Sequence, residues 1–340
     1  MKKQALNVFK FLFFLSLGAL LVWLAVKDKT DEELHNIKLA LQKADYSWII
    51  LSLVFSGLSH IFRALRWKLL LEPLHYHPKI SNTFFALMAG YLANFALPRL
   101  GEVTRCGLLN RYEKIPFTEG FGTVITERAL DLICMILVFF ITLGIEFDKI
   151  SGIANDLIFT TVADKFNALV QNKTLLITVV LIFIVLISGF FYFRKKIKNL
   201  FGAKVKVLIK GLLDGLKSIK NIKKPKLFFV YTVLIWLMYI LQVYVCFFAF
   251  EETQSLSFVV AMTVVVFGGL GIILVPGGTG AYQAIVIQIL TTVYFISDTN
   301  AFAFAWAGWT SQFVIILFLG LMSFLLLPLL NKTTISKEIK

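Results

Sequence analysis

The residues of this chain that could do chemistry are the few charged and polar ones that interrupt its apolar runs. Glu127, Arg128 and Asp131 lie inside the run from Phe117 to Ile145. On a helix Glu127 and Asp131 fall one turn apart on one face, and Arg128 can reach Asp131. Ionisable groups placed so deep are costly and normally face a protein interior or a cavity. Such a trio either holds helices in place or lines a pathway, and the pathway is the expectation taken here. A second group is Asn94, Pro98, Arg99, Gly101, Glu102 and Arg105. Pro98 lacks an N–H and Gly101 tolerates a left-handed turn, so the backbone can open there. Arg99 and Arg105 carry the planar fork that suits phosphate or carboxylate. Glu102 and Arg105, three apart, can also simply pair with each other.

A third group is Pro276, Gly277, Gly278, Gly280, Tyr282 and Gln283, a glycine-rich break opening into an apolar run. It has the form of an anion-binding helix N-terminus, yet no Walker lysine follows, so a nucleotide is not expected. Arg63 and Arg66 follow His60 near the end of a long apolar run, where snorkelling to the interface or contact with a headgroup is expected. His75 and His77 lack a third ligand and make no metal site. Cys106, Cys134 and Cys246 are scattered thiols with no disulfide or metal spacing. Neither a nucleophile–base pair nor a cofactor motif is visible.

The elements that must position these groups are membrane helices. Apolar residues are 58% of the 340 and charged residues only 16%, against about 45–50% and about 25% in soluble domains. This composition excludes disordered, fibrous and disulfide-stapled classes. It leaves no soluble module for a nucleic acid, in spite of a net charge of +14. The chain therefore reads as one polytopic all-α membrane domain over residues 1–340. Full spans are expected at 11–26, 48–71, 117–145, 174–193, 227–250 and 301–330. The runs at 84–97 and 281–296 are short for a crossing of about 20 residues. With their Pro/Gly breaks they suggest two re-entrant hairpins, at 84–110 and 256–296.

Lys and Arg concentrate on the cytoplasmic side of membrane proteins. With six spans and two hairpins, the inner segments carry 26 Lys and Arg and the outer segments 7. Both termini are then cytoplasmic. Segment 194–226 alone has 12 basic residues and one acid; its apolar residues recur at helical spacing, as in an interfacial amphipathic helix. The pattern repeats: helices, broken hairpin and helix over about 9–145, then again over about 174–330 from the opposite side. An inverted repeat with interrupted segments in matching places points to a transporter-like site near the midplane.

Arg63-x-x-Arg66-Trp67, Gly90-Tyr91-x-x-Asn94, Pro98-Arg99-x-Gly101-Glu102, Glu127-Arg128-x-x-Asp131 and Pro276-Gly277-Gly278-x-Gly280 occur together and in this order. In this the chain resembles the lysylphosphatidylglycerol synthase transmembrane-region family, also called flippase-like or UPF0104, over roughly residues 10–330. The resemblance implies a module like the flippase half of multiple peptide resistance factor, which moves aminoacylated phosphatidylglycerol between leaflets. Thr279 and Gln283 stand where the family often has a leucine and an acid, which bears on the headgroup. The chain ends at Lys340 with no aminoacyltransferase domain, so synthase activity is not expected.

The expected function is therefore a lipid flippase or lipid-binding transporter of a bacterial cytoplasmic membrane. Its partners would be membrane lipids with anionic, aminoacylated or polyprenyl headgroups. Arg99 and Arg105 would take the phosphate, and Glu127 and Asp131 would meet a cationic headgroup or couple to protons. The alternatives are an intramembrane enzyme of lipid or polyprenyl-phosphate metabolism, with Glu102 or Glu127 as base, and a non-transporting partner of such an enzyme.

Overall fold

A computed structural model describes residues 29–96, 99–147 and 222–331, together with Trp23 and Lys27. The expected spans at 11–26 (Trp23 apart) and 174–193, residue Pro98, and segment 194–226 up to residue 221 lie outside the described residues. The described chain is all-helical. We label its helices α1 (Asp31–Lys43), α2 (Tyr46–Leu71), α3 (Ile80–Ala96), α4 (Leu100–Glu113), α5 (Phe117–Ile145), α6 (Pro225–Phe247), α7 (Phe258–Leu274), α8 (Ala281–Thr292) and α9 (Asp298–Leu330). Of these, α2, α5, α6 and α9 are long and apolar enough to cross a membrane.

Helix α1 was not anticipated, although its signal was legible. Thr30-x-x-Glu33 forms a capping box: the Thr30 hydroxyl accepts from the Glu33 N–H (3.2 Å), and the Glu33 carboxylate accepts from the Thr30 N–H (2.7 Å). Removing the cap as Thr30→Ala should cost about 1 kcal/mol. The expected readout is faster amide exchange in α1, by about fivefold, with the rest of the protein unchanged.

Apolar side chains point outward as well as inward. Leu132, Ile136, Phe140 and Ile141 of α5 and Phe318, Leu321, Phe324 and Leu325 of α9 are all exposed. In water a continuous apolar surface of this size would drive association. In a bilayer it is the lipid face, while the first half of α5 turns its polar groups into the protein.

The helix pairings come in matched sets. α2 packs on α3 and α5, and α6 packs on α7 and α9; α3 pairs with α4, and α7 with α8; α4 packs on α5, and α8 on α9; α3 packs on α9, and α7 on α5. The corresponding helices α2 and α6 lie against each other and run antiparallel. At one end the Asp45 N–H donates to the Ala249 carbonyl (3.0 Å), and toward the other Arg66 reaches Thr232 (3.5 Å).

Two broken hairpins meet tip to tip beside the middle of α9. In the first, α3 and α4 are tied at their open ends by Glu113, which accepts from the Lys79 N–H (2.9 Å) and the Asn82 amide (2.6 Å). Asn82 in turn bonds Asn331 at the C-terminal end of α9. The second hairpin, α7 and α8, is tied at its open ends by Thr263 and Tyr294 (3.1 Å). At the N-terminal end of α9, the Ser297 N–H donates to Glu252 (2.9 Å) and Lys29 pairs with Asp298. Halfway along α9 the Trp309 indole N–H donates to the Gly277 carbonyl (2.8 Å). Phe95, from the first tip, lies edge-on to Trp309 and Phe313 and flat enough against Gly277 that a Cβ there would sit 2.3 Å from its ring.

Candidate functional site: a buried charge cluster

The second break opens the backbone between α7 and α8. Gly277, Gly278 and Gly280 all have positive φ (65°, 72° and 78°), with a single turn at Pro276–Gly278. The first break differs. The left-handed residue is Arg99 (φ 63°), not Gly101, which is helical and buried. Gly101 serves close approach instead. A Cβ there would stand 2.1 Å from the Gly90 carbonyl oxygen, and the Gly101 N–H donates to the Asn94 side chain across the hairpin (2.7 Å). Asn94 thus ties the tip together, and Arg99 stands exposed just outside it.

Below that tip, α2, α3, α4, α5 and α6 bring most of the remaining predicted residues together. Arg63 and Arg66 do not snorkel. They are 6% and 0% exposed and face Asp131, which Arg66 meets at 2.6 Å and Arg63 meets more closely still. Glu127, fully buried, lies 3.1 Å from Arg105, 3.8 Å from Arg63 and 4.0 Å from Arg66. Glu102 pairs with Arg128 across the α4–α5 contact at 3.1 Å. Neither local pairing open to the sequence is formed: Glu102 does not hold Arg105, and Arg128 does not hold Asp131. The helices cross so that each charge meets a partner on a neighbour.

Aromatic and hydroxyl groups complete the enclosure, and sequence reasoning did not single them out as site residues. The Arg63 guanidinium donates to the Tyr91 hydroxyl (2.5 Å) and lies 5.6 Å from the Tyr239 ring centre. Arg105 stacks over Trp67 (4.6 Å), whose indole N–H is held by Thr123 (2.9 Å). Tyr91 and Trp67 had a signal, since both stand within the motifs Gly90-Tyr91-x-x-Asn94 and Arg63-x-x-Arg66-Trp67. Tyr239 and Thr232 had none, because α6 carries no charged residue after Lys226 near its start to mark a polar face.

The balance of the cluster is positive. Four guanidiniums (Arg63, Arg66, Arg105, Arg128) meet three carboxylates (Glu102, Glu127, Asp131). Arg105, only 2% exposed, has no hydrogen-bond partner at Nε or Nη2. Leaving a buried donor unpaired costs about 1–3 kcal/mol. An excess positive charge with unused N–H groups suits an oxyanion. His60, buried one turn before Arg63 and 5.1 Å from Tyr91, also has both ring nitrogens unpartnered.

Tyr282 and Gln283 are not part of this cluster. Gln283 is buried, and its side chain accepts from the Gly280 N–H (2.8 Å), capping α8. The Tyr282 ring packs against Gly268 and its backbone against Gly271, and it lines a small cavity with residues of α6 and α9. Among the described residues no group of His, Cys, Asp and Glu has the arrangement of a metal site.

Comparison with known proteins bears on this geometry. The sequence model of the lysylphosphatidylglycerol synthase TM region matches residues 7–320. A UPF0104 membrane protein of Methanothermobacter thermautotrophicus is 27% identical over 280 residues, covering 74% of this chain and 77% of that protein. Two UPF0104 membrane proteins of Methanocaldococcus jannaschii are 27% and 28% identical, over 44% and 56% of this chain. The first of these is matched over only 42% of its own length. No solved structure matches.

Proposed function

Because this chain belongs to the lysylphosphatidylglycerol synthase transmembrane-region family, a family of multi-pass membrane proteins, we propose that its charge cluster binds the headgroup of a membrane lipid and that the protein moves that lipid between leaflets. The observation that carries the reading is the positively charged, incompletely hydrogen-bonded guanidinium set of Arg63, Arg66 and Arg105 buried between helices. A phosphate supplies the acceptors those N–H groups lack. The basic group of an aminoacylated headgroup would meet Asp131 and Glu127.

The architecture supports movement rather than binding alone. On this reading the hairpins are re-entrant. α3 and α4 span only about 25 Å and about 21 Å at 1.5 Å per residue, short of a hydrocarbon core of about 30 Å. They enter from the C-terminal end of α9 while α7 and α8 enter from its N-terminal end. The two halves are then an inverted repeat, with six full spans, both termini in the cytoplasm and the site near the midplane. The Phe95–Gly277–Trp309 contact closes the path between the tips and must part for a headgroup to pass. Each carboxylate of the cluster is ion-paired to a guanidinium, which favours positioning and binding over acting as a catalytic base.

The test is transport of labelled phosphatidylglycerol, aminoacylated phosphatidylglycerol and polyprenyl phosphate in proteoliposomes. Wild-type protein should exceed empty vesicles with at least one of them, and Arg105→Gln should lower the rate about tenfold or more, the scale of one lost charged hydrogen bond. Rates equal to empty vesicles for all three would count against the reading. Stable co-purification with a neighbouring enzyme, with tolerance of Arg99→Ala and Glu127→Ala, would favour a non-transporting partner.

A further inference from the structure

The pairings that enclose the charge cluster recur in the second half, with neutral groups in place of ions. Arg63 in α2 and Gln242 in α6 occupy the same position counted from Tyr46 and Pro225, the first residues of their helices. Asp131 in α5 and Gln312 in α9 do so counted from Phe117 and Asp298. Gln242 and Gln312 line a small cavity with Ser52 of α2, Cys246 of α6, Tyr282 of α8 and Ser311 of α9. It has room for about one water-sized occupant.

The cavity is rich in acceptors. Gln242 is 9% exposed, and its Oε1 has no hydrogen-bond partner. The Ser52 hydroxyl donates to the Ile49 carbonyl (2.7 Å), and the Ser311 hydroxyl donates to the Gly308 carbonyl (2.7 Å). With their protons so engaged, both serine hydroxyls can act only as acceptors toward an occupant of the cavity. Ser52, Gln242 and Ser311 bring three side-chain oxygens from three helices to the lining of one small volume, and the Gln312 amide adds a fourth; a single water has two protons for them. A cation serves them all. The ligands are neutral oxygens with no carboxylate, whereas Ca2+ and Mg2+ sites recruit carboxylates. The small volume selects a small ion.

We propose that this cavity is a Na+ site, formed by Gln242 Oε1 and the hydroxyl oxygens of Ser52 and Ser311, with Tyr282 alongside. It stands whether or not the charge cluster carries a lipid. Tyr282 lines the cavity two residues past Gly280, so an ion held here links α2, α6 and α9 beside the first turn of α8, at the hairpin tip. Lipid movement, if present, would then depend on Na+.

The full-length protein, purified in choline chloride, is titrated with NaCl at constant ionic strength. Apparent melting temperature and tryptophan fluorescence are followed, Trp309 lying close to the site in α9. A saturable rise in melting temperature with Na+ is expected, absent with choline and weaker with K+. Its midpoint should move up about tenfold in Gln242→Leu and in Ser311→Ala. If Gln242→Leu does not fold, Ser311→Ala decides, since alanine preserves the helix. Identical curves in Na+ and choline overturn the site and leave a water there. An equal response to K+ overturns the assignment to Na+, and an unaltered response in Ser311→Ala overturns the location. Each reading is independent of lipid transport.

Discussion

Glu127→Gln is expected to destabilise the protein by about 3–5 kcal/mol, the cost of leaving a buried charge without its partner, and to abolish transport. The carboxylate lies within 4.0 Å of three guanidiniums, those of Arg105, Arg63 and Arg66. With it gone, Asp131 still holds Arg63 and Arg66, but Arg105 loses its carboxylate partner. Partial rescue is expected on removing that arginine. In Glu127→Gln/Arg105→Met the charge balance returns to that of the wild type, and the double variant should be more stable than the sum of the single changes by about 0.5–3 kcal/mol. Transport should stay lost, because Arg105 supplies the unused N–H groups. Denaturation in detergent and the proteoliposome assay together check both halves. A Glu127→Gln protein as stable as wild type would mean that the cluster is not desolvated. A double variant that transports would remove Arg105 from headgroup binding.

Gly101→Ala is expected to destabilise the first hairpin by about 1–3 kcal/mol or more, the usual range for overpacking. The added methyl would lie 2.1 Å from the Gly90 carbonyl oxygen and 2.6 Å from the Asn94 side chain. Both are neighbours across the hairpin, and one is backbone, so α3 and α4 must separate. Separation would break the Gly101–Asn94 hydrogen bond and shift Arg105 and Glu102 on α4. Gly107→Ala, one to two turns along the same helix, is the control. A Cβ there meets nothing within 4 Å, and alanine should be neutral or stabilising by up to about 1 kcal/mol. Opposite signs at Gly101 and Gly107, read as melting temperatures, would show that packing at the tip decides the effect. Equal effects would refute it.

The helices were legible because their apolar runs are long and their breaks carry Pro and Gly. The run from Phe117 to Ile145 became α5 with those bounds, and the ends of α2 and α3 moved by only a few residues. The amphipathic α1 was passed over because it lacks an apolar run, although its capping box stood in the sequence. The pairing of charges was not legible. Local spacing offered Glu102–Arg105 and Arg128–Asp131, but at these helix crossings neighbours on other helices lie closer. The role of Gly101 was misread for a related reason: glycine marks both left-handed turns and close approaches, and one chain does not show which backbone stands opposite.

Composition, apolar periodicity and the placement of lysine and arginine are local quantities. They suffice for a multi-pass helical protein with a few charges held among its apolar helices. Which charge meets which, that the two broken hairpins touch at Phe95 and Gly277, and that Gln242, Ser52 and Ser311 share one cavity are contacts between residues far apart in the chain. Such contacts depend on crossing angles and on the small residues that let helices approach, and only the folded arrangement sets those.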